Sequence, residues 1–285
     1  MSEAHRSAPA RRDPPWLAGL LIGVGVAYLA LLLLLPLFTV FIEALRRGIE
    51  EYWAGISEPD AIAAMQLTLL VAVIAVPLNT VFGLAAAWAV TKFEFWGKSA
   101  LITIIDLPFS ISPVISGLVY VLLYGANGWF GPTLDALNIQ IIFNVSGIVL
   151  ATVLVTMPFV ARELIPLMQA QGGDEEAAAA TLGAGPWRTF FLVTLPNIKW
   201  ALMYGVLLCT ARAMGEFGAV AVVSGHIRGE TATMPLHVEI LYNEYSFAAA
   251  FAAASLLALF ALVTLAVKSL LEAKFADELA AQRWR

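Results

Sequence analysis

The chain has 285 residues, of which 60% are hydrophobic and only 13% charged, with a formal net charge of −5. A soluble domain carries about 25% charged residues, so this balance excludes an ordinary water-soluble globular protein and marks an integral membrane protein. The net charge says little more, because orientation in a bilayer follows Lys and Arg near the span ends and not the overall sum.

A helix needs roughly 20 mainly apolar residues to cross a hydrocarbon core about 30 Å thick, and six stretches reach that length. The first, 16–43, follows a tail (1–15) that holds Arg6, Arg11 and Arg12. Its apolar run far exceeds the roughly 7–15 residues of a signal-peptide core, so it reads as an uncleaved first transmembrane helix. A second span is expected at about 67–90 and a third at about 101–124. The third carries Asp106, then Pro108 and Pro113, each of which removes a backbone donor and frees a carbonyl, with Ser110, Ser112, Ser116 and Gly117 between and after them. Such broken, small-polar segments are tolerated at membrane depth where they are buried in protein or line a water-filled cavity. The segment therefore reads either as pathway lining or as a packing kink. A hydroxyl-rich, weakly polar lining suits passage of an anion, because a tightly held one would not leave.

After a fourth span at 145–167, the stretch 168–199 breaks the apolar pattern. Asp174 is placed to cap a helix, Glu175 and Glu176 fall in its first turn beside the positive end of the helix dipole, and an alanine run follows. Gly183 is placed for a left-handed helix stop, and Gly185-Pro186 restarts the chain with proline in the first turn. In the second helix Trp187, Phe190 and Phe191 recur at helical spacing as an apolar stripe, with Pro196 expected to end it. The hairpin is either a turn lying on the membrane surface or a docking helix for a soluble partner.

The fifth span, 200–223, contains Arg212 and Glu216 one turn apart, where they can pair. An ionisable residue so deep costs at least about 2.5–3.5 kcal/mol on insertion scales and is a functional candidate. Arg212 is either a counter-ion for a passing anion or, neutralised by Glu216, half of a packing or gating pair. Cys209 in the same span is the lone cysteine and reads as a small packing residue. The sixth span is expected at 247–271, before a tail at 272–285.

Six spans put both ends on one side. Twelve of the sixteen Lys and Arg fall in the tails and in the loops on that side, three (Arg46, Arg47, Arg228) in the opposite loops, and Arg212 lies inside a span. The positive-inside rule places both termini and the 168–199 stretch in the cytoplasm. The outward loops, 44–66, 125–144 and 224–246, are short and leave no room for a sizeable outer domain. Gly97-Lys98-Ser99 imitates the end of a phosphate-binding loop, but Lys92 occupies the place of its first glycine. Asn144-Val145-Ser146 abuts a span and makes a poor glycosylation acceptor. The scattered histidines (His5, His226, His237) form no metal site, and there is no basic nucleic-acid patch.

The hairpin resembles the cytoplasmic loop of binding-protein-dependent ABC permeases, whose pattern is E-A-A, three residues, G, nine residues, I-x-L-P. Gly183 matches the glycine, Val193 takes the isoleucine place, and Leu195-Pro196 match the ending. The acid departs from the pattern: Ala177 stands where the glutamate is expected, and Glu176 is one residue early. The segments DLPFSISPVISGLVY (106–120), ARAMGEFGAV (211–220) and VVSGHIRGET (222–231) resemble sulfate/thiosulfate permeases of the CysW type, GEFGA being shared with molybdate permeases.

The resemblance implies an all-α integral membrane protein with six transmembrane helices in the type I importer (MetI-like) architecture, its permease domain covering 61–271. It implies an ATPase-coupling loop built on Glu175, Glu176, Ala177, Gly183 and Pro196, and inward movement of sulfate or thiosulfate across the inner (plasma) membrane by alternating access. It further implies a second related permease subunit in a heterodimer, two ATPase subunits that bind the ATP, and an external or periplasmic sulfate-binding protein. This chain would carry no catalytic residue, metal or cofactor of its own. The alternatives are a molybdate/tungstate permease, an ion-driven secondary transporter, which would show paired halves and several membrane carboxylates, and an intramembrane enzyme, whose convergent catalytic groups the sequence does not contain.

Overall fold

A computed structural model describes residues 15–274, so the expected tails lie almost wholly outside the described residues. The described chain is helical from end to end. It opens with α1 (Pro15–Leu29), a π-helical turn (Ala30–Leu34) and α2 (Leu35–Leu45), which together make one apolar rod, Trp16–Leu45. The short α3 (Ile49–Ser57) leads into the 34-residue α4 (Pro59–Lys92), started by a proline at N1 and dipole-matched by Asp60 in its first turn and Lys92 in its last.

The third apolar stretch is two helices, α5 (Lys98–Ser110) and α6 (Pro113–Tyr124), bent by 109°. The break lies at Ile111 and Ser112, whose ψ angles of 136° and 133° are extended. Proline forces the preceding residue out of the helical region, so Pro113 makes the break, whereas Pro108 sits inside α5 without ending it. After α7 (Gly131–Ala136), the fourth stretch runs on to Gln171 as α8 (Val145–Thr156) and α9 (Pro158–Gln171), joined at Met157.

The hairpin is α10 (Asp174–Thr181) and α11 (Pro186–Thr189). Pro196 does not end the second helix. α11 passes through a π-helical turn (Phe190–Thr194) into α12 (Leu195–Met214) as one unbroken rod, Pro186–Met214. The ring of a proline clashes with the carbonyl four residues back and leaves it without a donor. The wider π turn just upstream absorbs that fault for Pro196, as the turn at Ala30–Leu34 does for Pro36. The stretch expected as a fifth span at 200–223 is not one continuous helix: α12 stops at Met214, Gly215–Phe217 interrupt it, and the short α13 (Gly218–Val223) follows. α14 (Met234–Asn243) and α15 (Phe247–Lys274) complete the chain.

Two larger apolar cores form among the described residues, beside smaller clusters around Ala64, Met234 and Ala253 and around Ala86, Ile105 and Ala161. One joins α6, α8 and α13 with the middle of α4 and with α14, around Leu67, Val71, Ile148, Val155, Val220 and Leu236. The other joins α9 and α12 to the second half of α4, around Val76, Val160, Leu164, Ile198 and Cys209. Small residues set the helix spacing, as is common between membrane helices. A Cβ at Gly83 would stand 2.7 Å from the Val160 Cβ, and one at Gly205 would stand 3.1 Å from the Val160 Cα, so α9 is wedged between α4 and α12. Likewise a Cβ at Gly117 would lie 2.7 Å from the Ala219 carbonyl oxygen, which lets α6 and α13 touch backbone to backbone. Residues 16–34 of the first rod lie outside both cores, with Leu20 to Leu35 largely exposed.

Candidate coupling hairpin and broken-helix sites

The hairpin is fixed at its two ends by different chemistry. At its start the cap is Gly173, not Asp174, which already occupies the first helical position, and no side chain caps the helix. The acids act elsewhere. Glu176 takes Lys92 Nζ on one oxygen at 2.5 Å and the Thr194 hydroxyl on the other at 2.8 Å, while Lys92 also donates to the Gly172 carbonyl at 2.5 Å. One carboxylate thus ties α10 both to the last turn of α4 and to the π turn before α12. Glu175 accepts from the Asn197 side chain, and Ala177, exposed, donates its N–H to the Gly173 carbonyl at 2.9 Å.

At the far end of α10, Gly183 has φ +83°. Its N–H donates to Ala180 O and the Ala184 N–H to Ala179 O, both at 3.0 Å. This pair of bonds is a Schellman closure, which satisfies carbonyls that the helix end would orphan. The aromatic stripe divides. Phe190 is buried against Trp88 with ring centroids 4.8 Å apart, whereas Trp187 and Phe191 stack on each other and stay exposed, as does Leu182 at the tip. Pro196 is exposed at the second position of α12.

The break between α5 and α6 is flanked by Asp106, whose Oδ1 lies 2.9 Å from Arg162 Nε on α9. The Arg162 guanidinium also covers the Phe109 ring at 4.5 Å. Ser110 and Ser112 are exposed, while Ser116 is buried and donates to the Ser112 carbonyl at 3.4 Å. At the second break, Arg212 Nη1 lies 2.6 Å from Glu216 Oε2. The two are not on one continuous helix as expected. Glu216 stands beyond the end of α12, is 2% exposed, and accepts the Ala219 N–H at 3.0 Å on its other oxygen, which caps α13. Sequence reasoning missed Lys92, Thr194 and Arg162, since each meets its partner across a sequence gap that no helical spacing marks.

On the loop side, Arg228 pairs with Glu244, and His226 Nε2 lies 3.5 Å from Glu239. His237 is fully buried, and burial pulls its imidazole below the usual value; Arg228 adds to this, while Glu58, Asp60 and Glu244 oppose it.

A family model described as "Binding-protein-dependent transport system inner membrane component" matches residues 79–277. The chain belongs to this family. Among curated relatives of this inner membrane component, the sulfate transport system permease protein CysW of Synechocystis sp. is 54% identical over 89% of this chain and 92% of its own. CysW of Escherichia coli strain K12 is 50% identical over 90% and 88%. The sulfate transport system permease protein CysT of the same strain is 36% identical over 86% and 90%. Among solved structures, the bacterial alginate ABC transporter in complex with an alginate pentasaccharide-bound periplasmic protein superposes with a TM-score of 0.75 at 18% identity, covering 91% of this chain and 95% of that one. The fold is therefore that of an ABC importer permease, and the chain is an integral membrane protein.

Proposed function

We propose that this chain is one permease subunit of an ATP-driven importer that moves sulfate or thiosulfate inward across the inner membrane by alternating access. The observation that carries the reading is the 54% identity, over nearly the whole chain, to a protein named as a sulfate transport permease. The 36% match to CysT, named beside CysW in one organism, supports a heterodimer of two related permeases. The fold of a transporter crystallised with a periplasmic protein supports an external binding protein as partner. Two ATPase subunits would supply the work.

In this reading both termini and the hairpin are cytoplasmic, as the Lys and Arg bias indicates. The hairpin α10–α11, with Leu182, Trp187 and Phe191 bared, is the surface that seats an ATPase subunit. Because α11 runs unbroken into α12, motion at the hairpin reaches the membrane without a slack linker. Asp106, Ser110, Ser112 and Ser116 line the pathway beside the α5–α6 break, and Arg212 with Glu216 holds the second break closed. The test is ATP hydrolysis by the reconstituted complex: stimulation by binding protein loaded with sulfate or thiosulfate supports the reading. Stimulation by molybdate alone would move the chain to a different oxyanion.

A further inference from the structure

Three long helices meet at one polar point between the two cores. Asn79, about 20 Å along α4 from Lys92, is 1% exposed. Its Nδ2 donates to the Val153 carbonyl at 3.1 Å and to Thr156 Oγ1 at 2.7 Å, and lies 3.9 Å from Cys209 Sγ on α12. Thr156 Oγ1 gives its own hydrogen to the Thr152 carbonyl at 2.6 Å. It therefore offers Asn79 only lone pairs, and the amide nitrogen must face α8. Cys209 in turn points its weak donor at the Thr156 carbonyl, 3.7 Å away.

The Val153 carbonyl is available because of the proline that follows. Pro158 has no N–H for Leu154, so the Met157 N–H turns back to the Leu154 carbonyl at 3.4 Å and abandons Val153. Asn79 supplies the donor that the proline junction between α8 and α9 takes away. A carbonyl left unpaired in lipid-like surroundings is costly, so the amide on one helix and the proline junction in another sustain each other. The Asn79 Oδ1 has no donor among the described residues.

We propose that Asn79 is a positioning residue for transport. It pins the α8–α9 junction at Met157 and fastens α12 to it, so that movement of the α9–α12 core reaches the α6–α13 core through this joint, which loosens and re-forms in each cycle. The unpaired Oδ1 makes the present arrangement one that a shifted joint can match in energy. The proposal rests on the reading of the chain as half of an importer.

Cys209, the single cysteine of the chain and fully buried, is a native reporter of the joint. The full chain, assembled with its partners in proteoliposomes, is compared with Asn79→Leu, which keeps similar bulk, and Thr156→Val, which is nearly isosteric. Insertion, sulfate uptake per inserted complex, ATP hydrolysis and maleimide labelling of the Cys209 peptide are measured together. Both variants are expected to lose uptake per complex by about tenfold, the change that about 1.4 kcal/mol makes in an equilibrium, while still hydrolysing ATP. Both are also expected to label Cys209 about tenfold faster than the unaltered chain. Uptake per complex that stays unchanged, whatever the level of insertion, overturns the proposal. A loss of uptake with Cys209 as protected as before overturns it too. If the unaltered complex itself moves no sulfate, the function reading fails instead, and the labelling comparison, which needs no substrate, still decides the joint.

Discussion

Two of the helix breaks among the described residues, those between α5 and α6 and between α12 and α13, are each accompanied by an ion pair, but the two pairs are built in opposite ways. Asp106 and Arg162 come from different helices, keep 41% and 53% of their side chains exposed, and meet at the mouth of the α5–α6 bend. Arg212 and Glu216 are four residues apart, and the Glu216 side chain is 1% exposed and committed to capping α13 as well. An exposed pair gains little from its partner, whereas a buried one must stay paired because either charge alone pays for desolvation. The first pair is thus placed to open and close at small cost, and the second to hold a break in one shape.

Glu216→Ala should give the largest effect. It leaves Arg212 without its counter-charge and Ala219 without its cap, and breaking a buried pair costs about 3–5 kcal/mol. Detergent-solubilised complex should melt at markedly lower temperature, and Arg212→Ala/Glu216→Ala together should cost less than the sum of the single changes. Simple additivity would dissolve the contrast between the pairs.

Gly183→Val probes a site where no charge is involved. Nothing lies within 4 Å of a Cβ there, so the strain comes only from φ +83° and should be about 1–2 kcal/mol. The complex should insert at near-normal level yet lose substrate-stimulated ATP hydrolysis, while Glu175→Ala should be mild. Full coupling in Gly183→Val with the ATPase bound would return the hairpin to a plain surface turn.

Asp106→Ala should alter stability by about 0–1 kcal/mol while changing uptake several-fold, the outcome that the proposed pathway role of Asp106 requires. A melting-temperature loss equal to that of Glu216→Ala would make the two pairs equivalent.

The smallest effect concerns pH and a buried group with no ion partner among the described residues. Burial holds His237 below its ordinary value of 6.5, so on acidification the unfolded chain takes up a proton that the folded chain refuses. The stability contributed by neutral His237 is full above about pH 6.5 and is lost as pH falls through the window beneath it. Melting temperature should fall between about pH 7.5 and about pH 5.5 in the unaltered chain more than in His237→Leu. An equal fall in both would assign the acid sensitivity to another group.

The helical class, the apolar stretches and the Gly183 stop were legible because each depends on local composition or on one residue's backbone freedom. The Arg212 and Glu216 pairing was legible for the same reason, being local. What escaped was set by distance or by competition between local rules. Lys92 meets Glu176 and Asp106 meets Arg162 only once α4, α5 and α9 have packed. Pro196 reads as a helix end until the π turn at Phe190–Thr194 is seen, because single-residue rules do not include an extra residue upstream that absorbs the clash. Asn79 gave no signal, since its meaning depends on a proline 79 positions later in the chain.

That π turn also sets the angular phase of the hairpin. An α-helix advances 3.6 residues per turn, so each residue gained or lost within Phe190–Thr194 would rotate everything before it by roughly 100° about the α12 axis. Trp187 would then look out from a different side of the rod, and the Thr194 hydroxyl would no longer face Glu176. Substitutions across these five residues alter only side chains, but a single deletion would re-aim the hairpin end of the molecule while leaving every apolar span intact.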